Sequence, residues 1–161
     1  MKWPLLFIVS VIVSACASGP DAADRIDAST LTESWPCGYG FAVSDVGQTV
    51  AVKVYAMADE APPAPGSLPH PGWEAVLEVG TDLMAGHCDD VYEEGEPIPH
   101  VEERMELSAT SFSYADSAAA GECPSVVRAE FAGMTATTAD GVVVEIGDLT
   151  VTNDAFGCFA G

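Results

Sequence analysis

Positive charge is what this sequence has least of. Five lysines and arginines stand against 25 aspartates and glutamates in 161 residues, for a net charge of −20. A surface of that sign repels phosphate, which argues against nucleic acid as a partner, and it repels anionic lipid headgroups as well. Long apolar runs are also missing. The longest, residues 3–13, is interrupted by Pro4 and Ser10 and falls short of the roughly 20 residues a helix needs to cross a hydrocarbon core. No two cysteines have C-x-x-C spacing, so neither a zinc ribbon nor a thioredoxin-like redox site is suggested. There is no G-x-S-x-G elbow, H-E-x-x-H, P-loop or EF-hand loop. Cys37-Gly38-Tyr39-Gly40 has too little glycine downstream for a dinucleotide fingerprint and suits a tight turn beside a disulfide. The chain therefore reads as a protein without a cofactor and without a recognisable catalytic apparatus.

What is present begins with a leader. Met1 and Lys2 form a short positive start, the apolar run follows, and it ends in Val13-Ser14-Ala15-Cys16. This order fits the n-region, h-region and small-residue cleavage site of an export signal. Val13-Ser14-Ala15-Cys16 resembles the lipobox of bacterial lipoproteins. That resemblance covers the first 16 residues and implies that the signal, residues 1–15, is cut away and that Cys16 becomes the lipid-bearing N-terminus. It also implies an extracytoplasmic lipoprotein of the bacterial cell envelope, held to a membrane through that lipid. One acyl chain binds a membrane marginally, at about 0.8 kcal/mol per buried methylene, whereas two or three chains make attachment effectively permanent.

With Cys16 set aside, Cys37, Cys88, Cys123 and Cys158 remain. In an oxidising compartment four cysteines read as two disulfides, with three possible connectivities. Removing Lys2 with the leader leaves Arg25, Lys53, Arg104 and Arg128 as the basic residues of the exported chain. Cations and basic envelope proteins are the partners its charge admits.

Residues 16–34 are small, polar and acidic and read as a flexible tether. The domain is expected over residues 35–161, and its apolar pattern has a period of two. Val50, Val52 and Val54 alternate with Ala51, Lys53 and Tyr55. Trp73, Ala75, Leu77 and Val79 alternate with Glu74 and Glu78, and Val127, Ala129 and Phe131 with Arg128 and Glu130. Residues 104–114 carry Met105 and Leu107, then Phe112 and Tyr114, a change of parity near Ala109 that suggests a bulge. Residues 41–43, 142–146 and 149–152 add short β-rich runs, giving about seven strands with turn residues between them. The pattern predicts an all-β domain, an antiparallel, immunoglobulin-like β-sandwich with two disulfides. At about 125 residues it buries roughly two-thirds of its unfolded surface, so disulfides supplement its core. Residues 58–72 hold five prolines and read as an extended, exposed connection.

Asp140-Gly141 between β-branched runs predicts a two-residue hairpin turn. Ala139 would then face Val142, and the same register carried outward sets Cys123 opposite Cys158 at a separation a disulfide can bridge. Elimination pairs Cys37 with Cys88.

Ligand potential is concentrated in residues 87–100, where His87, Asp89, Asp90 and His100 are the candidate metal ligands beside Cys88 and the carboxylates of Glu93, Glu94 and Glu96. Imidazoles with carboxylates suit zinc, and carboxylates alone suit calcium. His87 and His100 are separated by prolines, so a solvated acidic loop is the simpler expectation and no bound metal is assigned. Trp35, Trp73 and Tyr39 read as core or edge residues, and Phe156 and Phe159 as caps on the core. The sequence thus predicts a lipid-anchored binding or interaction module of unspecified ligand. A cation-binding surface protein using the acidic loop, and a hydrolase assembled from distant residues, are the competing readings.

Overall fold

The computed structural model describes residues 26–37, 40–57, 66–88, 94–116 and 127–153. Eight strands follow one another: β1 (Glu33–Cys37), β2 (Gly40–Ser44), β3 (Val50–Ala56), β4 (Trp73–Thr81), β5 (His100–Ser108), β6 (Ser111–Asp116), β7 (Val127–Thr137) and β8 (Val143–Asn153). Every pairing is antiparallel, and β1 to β5 each lie beside their sequence neighbour. Strand β7 then pairs with both β5 and β6 on one side and with β8 on the other.

The expected all-β, antiparallel character is there, but the two stacked sheets of an immunoglobulin-like sandwich are not what the described strands form. They join in one sheet curled into a half-barrel. From β1 to β5 each connection runs to the adjacent strand, and β5 and β6 both pair with β7, so all the described strands stay in one sheet. The curl has a local cause. Between β5 and β6 the inward residues change parity, with Leu107 and Ala109 buried and then Phe112. Strand β7 changes at the same level, between Phe131 and Met134, and β8 between Ile146 and Leu149. Three neighbouring strands therefore bulge side by side. The sheet bends there while its apolar face stays continuous.

Alternation fills the concave side. Val52 and Val54, Trp73 and Leu77, Met105 and Leu107, and Val144 and Ile146 all point into one core. Phe112 stacks on Phe131 at 4.9 Å between ring centroids, and Trp73 meets Phe112 edge-on at 5.0 Å. The outer strands β1 and β8 approach each other across the mouth, where buried Asn153 donates to Ser34 Oγ at 2.9 Å. The short 3-10 turn Ala28–Thr30 lies against β8, and Ile26 N–H donates to Glu145 O at 2.9 Å. Ala28 and Leu31 are buried in the core. Part of the segment expected as tether thus belongs to the fold, because its two apolar side chains complete the inner face.

The β7–β8 hairpin departs from the predicted turn. Thr138 and Val142 close it, with Thr138 N–H to Val142 O at 2.9 Å, and residues 139–141 form a three-residue loop. Gly141 sits at φ +87°, the left-handed position that such a loop requires. The register moves by one, so Ala136 faces Val144 and Val127 faces Asn153. The predicted alignment of Cys123 with Cys158 does not follow from this register, and both cysteines lie outside the described residues.

Cys37 and Cys88 are joined, as elimination suggested, with Cα atoms 5.2 Å apart. The bond ties the end of β1 to the turn after β4. That turn, residues 82–88, folds over the convex side of the sheet, where Leu83 and Met84 pack on Ala42 and Ala51 beside Trp35.

Candidate binding site

Register across β3, β4 and β5 assembles charges on the convex face. Ala51 faces Glu78, Glu78 faces Arg104, and Tyr55 faces Glu74. Glu78 is 4% exposed. Lys53 Nζ lies 2.8 Å from its Oε2 and Arg104 Nη1 3.2 Å from its Oε1. Arg104 reaches on to Glu74 at 2.6 Å, where both groups are about half exposed. Lys53 also donates to Leu83 O at 3.0 Å, so the same ammonium neutralises Glu78 and pins the 82–88 turn. Arg128 pairs with Glu130. The three basic side chains of the described residues are therefore all engaged by glutamates, and the remaining carboxylates set the sign of the surface.

His87 belongs to this turn, its Nδ1 3.4 Å from Tyr55 Oη. Burial, with the Lys53 charge adding to it, lowers the imidazole to about 4, against the smaller opposing effects of the Trp35 backbone and Glu78. Burial likewise pushes the Tyr55 hydroxyl up to about 12, helped by Glu78. Both groups are thus held uncharged at neutral pH. Their contact joins the turn to β3.

Of the predicted ligands, Asp89 and Asp90 lie outside the described residues, as does Glu93. His100 is exposed at the start of β5, opposite Thr81, while His87 is turned in against Tyr55. Among the described residues no group of three or more His, Cys, Asp or Glu side chains is placed to hold a metal ion. Cys16, Tyr39, Phe156 and Phe159 also lie outside the described residues. Trp73 is a core residue, and Trp35 covers the convex face while donating Nε1–H to Ser44 Oγ at 3.2 Å.

A different feature was not visible in sequence. Pairing of β4 with β5 stops at Val76 and Glu106. Beyond that point the strands fork, and residues 66–72 run into the gap. Leu68 exchanges backbone hydrogen bonds with Ala109 at 3.0 and 3.2 Å, and Phe112 N–H donates to Gly66 O at 2.7 Å. This stretch of the proline-rich connection is therefore not simply exposed, since Leu68 is buried. The wedge leaves an open groove of 370 Å³, lined by Met57, Pro69, Pro71, Trp73, Val76 and Leu107 and bordered by His70, Glu74 and Glu106. Met57 stands 62% exposed at its edge. His70 Nδ1 accepts from Gly72 N–H at 3.1 Å, which sets the ring against its own turn. The Glu106 carboxylate has no ion-pair or hydrogen-bond partner among the described residues. The lining offers apolar contact, and the border offers the negative charge of Glu106, Glu74 being paired with Arg104.

No helix among the described residues is long and apolar enough to cross a membrane. Comparison with protein-family models, with curated proteins and with solved structures finds no match to this chain.

Proposed function

We propose that this chain is a lipid-anchored, extracytoplasmic module of a bacterial envelope that binds a partner through the groove at the β4–β5 fork. The groove carries the reading. The concave side of the sheet is filled by its own core, so recognition falls to the outer surface. There an apolar cleft next to an exposed methionine is the feature most suited to receive another molecule. Anchoring rests on Val13-Ser14-Ala15-Cys16, the lipobox-like run. A surface poor in cations favours anchoring by lipid over anchoring by charge.

Two measurements test the two halves. Cys16→Ser should abolish metabolic labelling with palmitate and leave the leader uncut, and persistent labelling would refute the anchor. A photoreactive amino acid in place of Met57 should give a discrete crosslinked species in intact cells. The same substitution at Val46, exposed in the turn between β2 and β3, should not. Equal adducts at both positions, or none at Met57, would refute the groove as the binding surface.

A further inference from the structure

The groove's border suggests what kind of partner it takes, an inference that rests on the binding reading above. We infer that it receives an extended peptide segment of a basic protein, with one apolar side chain flanked by lysine or arginine. The apolar lining of Pro69, Pro71 and Val76, with the Met57 thioether at the edge, accommodates one aliphatic or aromatic group. The border is acidic on two strands, with Glu74 on β4 and Glu106 on β5. The Glu106 carboxylate has no partner among the described residues, while Lys53 is committed to Glu78, Arg104 to Glu78 and Glu74, and Arg128 to Glu130. Arg104 therefore neutralises the Glu74 side of the border, and no described cation neutralises Glu106, so an incoming one meets an available carboxylate there beside an apolar surface. The net charge of −20 draws a basic chain towards the surface from any direction. The groove is what would turn that general attraction into a located contact.

The test uses the full lipidated protein in non-ionic detergent and two short synthetic peptides, Lys-Arg-Leu-Lys-Arg and Lys-Arg-Gly-Lys-Arg, measured by fluorescence anisotropy at ~0.15 M salt, where screening acts over about 8 Å. The leucine peptide should bind at least about tenfold more tightly than the glycine peptide. Glu106→Gln should weaken it by about tenfold, the usual loss of a charge-assisted contact. Glu130→Gln removes the same charge from a position that already pairs with Arg128, and it should leave binding unchanged. Val76→Arg should abolish binding with the melting transition retained. If that variant does not fold, Glu106→Gln decides alone. Equal binding of the two peptides, equal loss in Glu106→Gln and Glu130→Gln, or no binding at all would overturn the inference. A crosslink at Met57 in cells alongside failure of the peptide would reject the basic-peptide partner and leave the groove as the binding surface.

Discussion

Gly133 donates its backbone N–H to Asp148 Oδ1 at 2.8 Å, and this contact joins the bulges of β7 and β8. Gly133 lies at φ +56°, and a Cβ there would stand 2.9 Å from Thr110 Oγ1, which itself donates to Ala132 O. The three strands that bend the sheet are thereby locked to one another at one level. Gly133→Ala should cost about 1–3 kcal/mol, combining left-handed strain with the clash. Asp148→Ala should cost about 1 kcal/mol through the lost acceptor. Urea midpoints of the two variants check this, and an unchanged midpoint for Gly133→Ala would remove the bulge row as the cause of the curl.

The Cys37–Cys88 bond closes a loop with a sequence separation of 51 residues. By the chain entropy it removes from the unfolded state, it contributes roughly 4 kcal/mol. The Cys37→Ser, Cys88→Ser double variant should melt well below the parent, and added reductant should lower the parent towards it. Non-reducing peptide mapping should recover Cys37 linked to Cys88.

His87 makes stability pH-dependent in a defined window. The folded state holds its imidazole at about 4, below its ordinary 6.5, so the unfolded chain binds the extra proton between those values. Stability from this residue is complete above pH 6.5 and falls as the pH drops towards 4. His87→Phe should flatten that part of the stability–pH curve. A curve of identical slope in the variant would show that other groups set it.

Glu78 and Glu74 both contact Arg104, yet they differ in worth. Glu78 is buried and Glu74 is about half exposed. Glu78→Gln leaves Lys53 without its counter-charge near Leu83, and should destabilise by up to about 3–5 kcal/mol, the range for breaking a buried pair from one side. Glu74→Gln should cost less than about 1 kcal/mol, as for exposed pairs. Chemical denaturation of the two variants side by side distinguishes these outcomes, and equal losses would mean that burial does not govern the cluster.

Much of this molecule was legible because alternation is a local property. Val52 and Val54 must point opposite to Lys53 and Tyr55 in any extended strand, so their inward face could be read without knowing what it packs against. The parity change at Ala109 was visible for the same reason. Period two, however, is the same in a sandwich and in a curled sheet. It says which side of a strand is buried and not which strand lies opposite. That choice fell to the bulges meeting across β5, β6, β7 and β8, a coincidence of levels that exists only after the strands are in register. Asp140-Gly141 likewise fits two loops, since glycine supplies the left-handed residue in either, and the pairing of Thr138 with Val142 decided between them. Strand β1, with Pro36 within it, carried no strand signal and forms by pairing with β2. The convex charge cluster and the groove depend on tertiary structure most of all. Lys53, Glu78 and Arg104, like Met57, Pro69 and Glu106, are 12 or more residues apart in sequence. Hydrogen-bonded strands about 4.8 Å apart bring such residues into contact, and sequence spacing alone does not encode that distance.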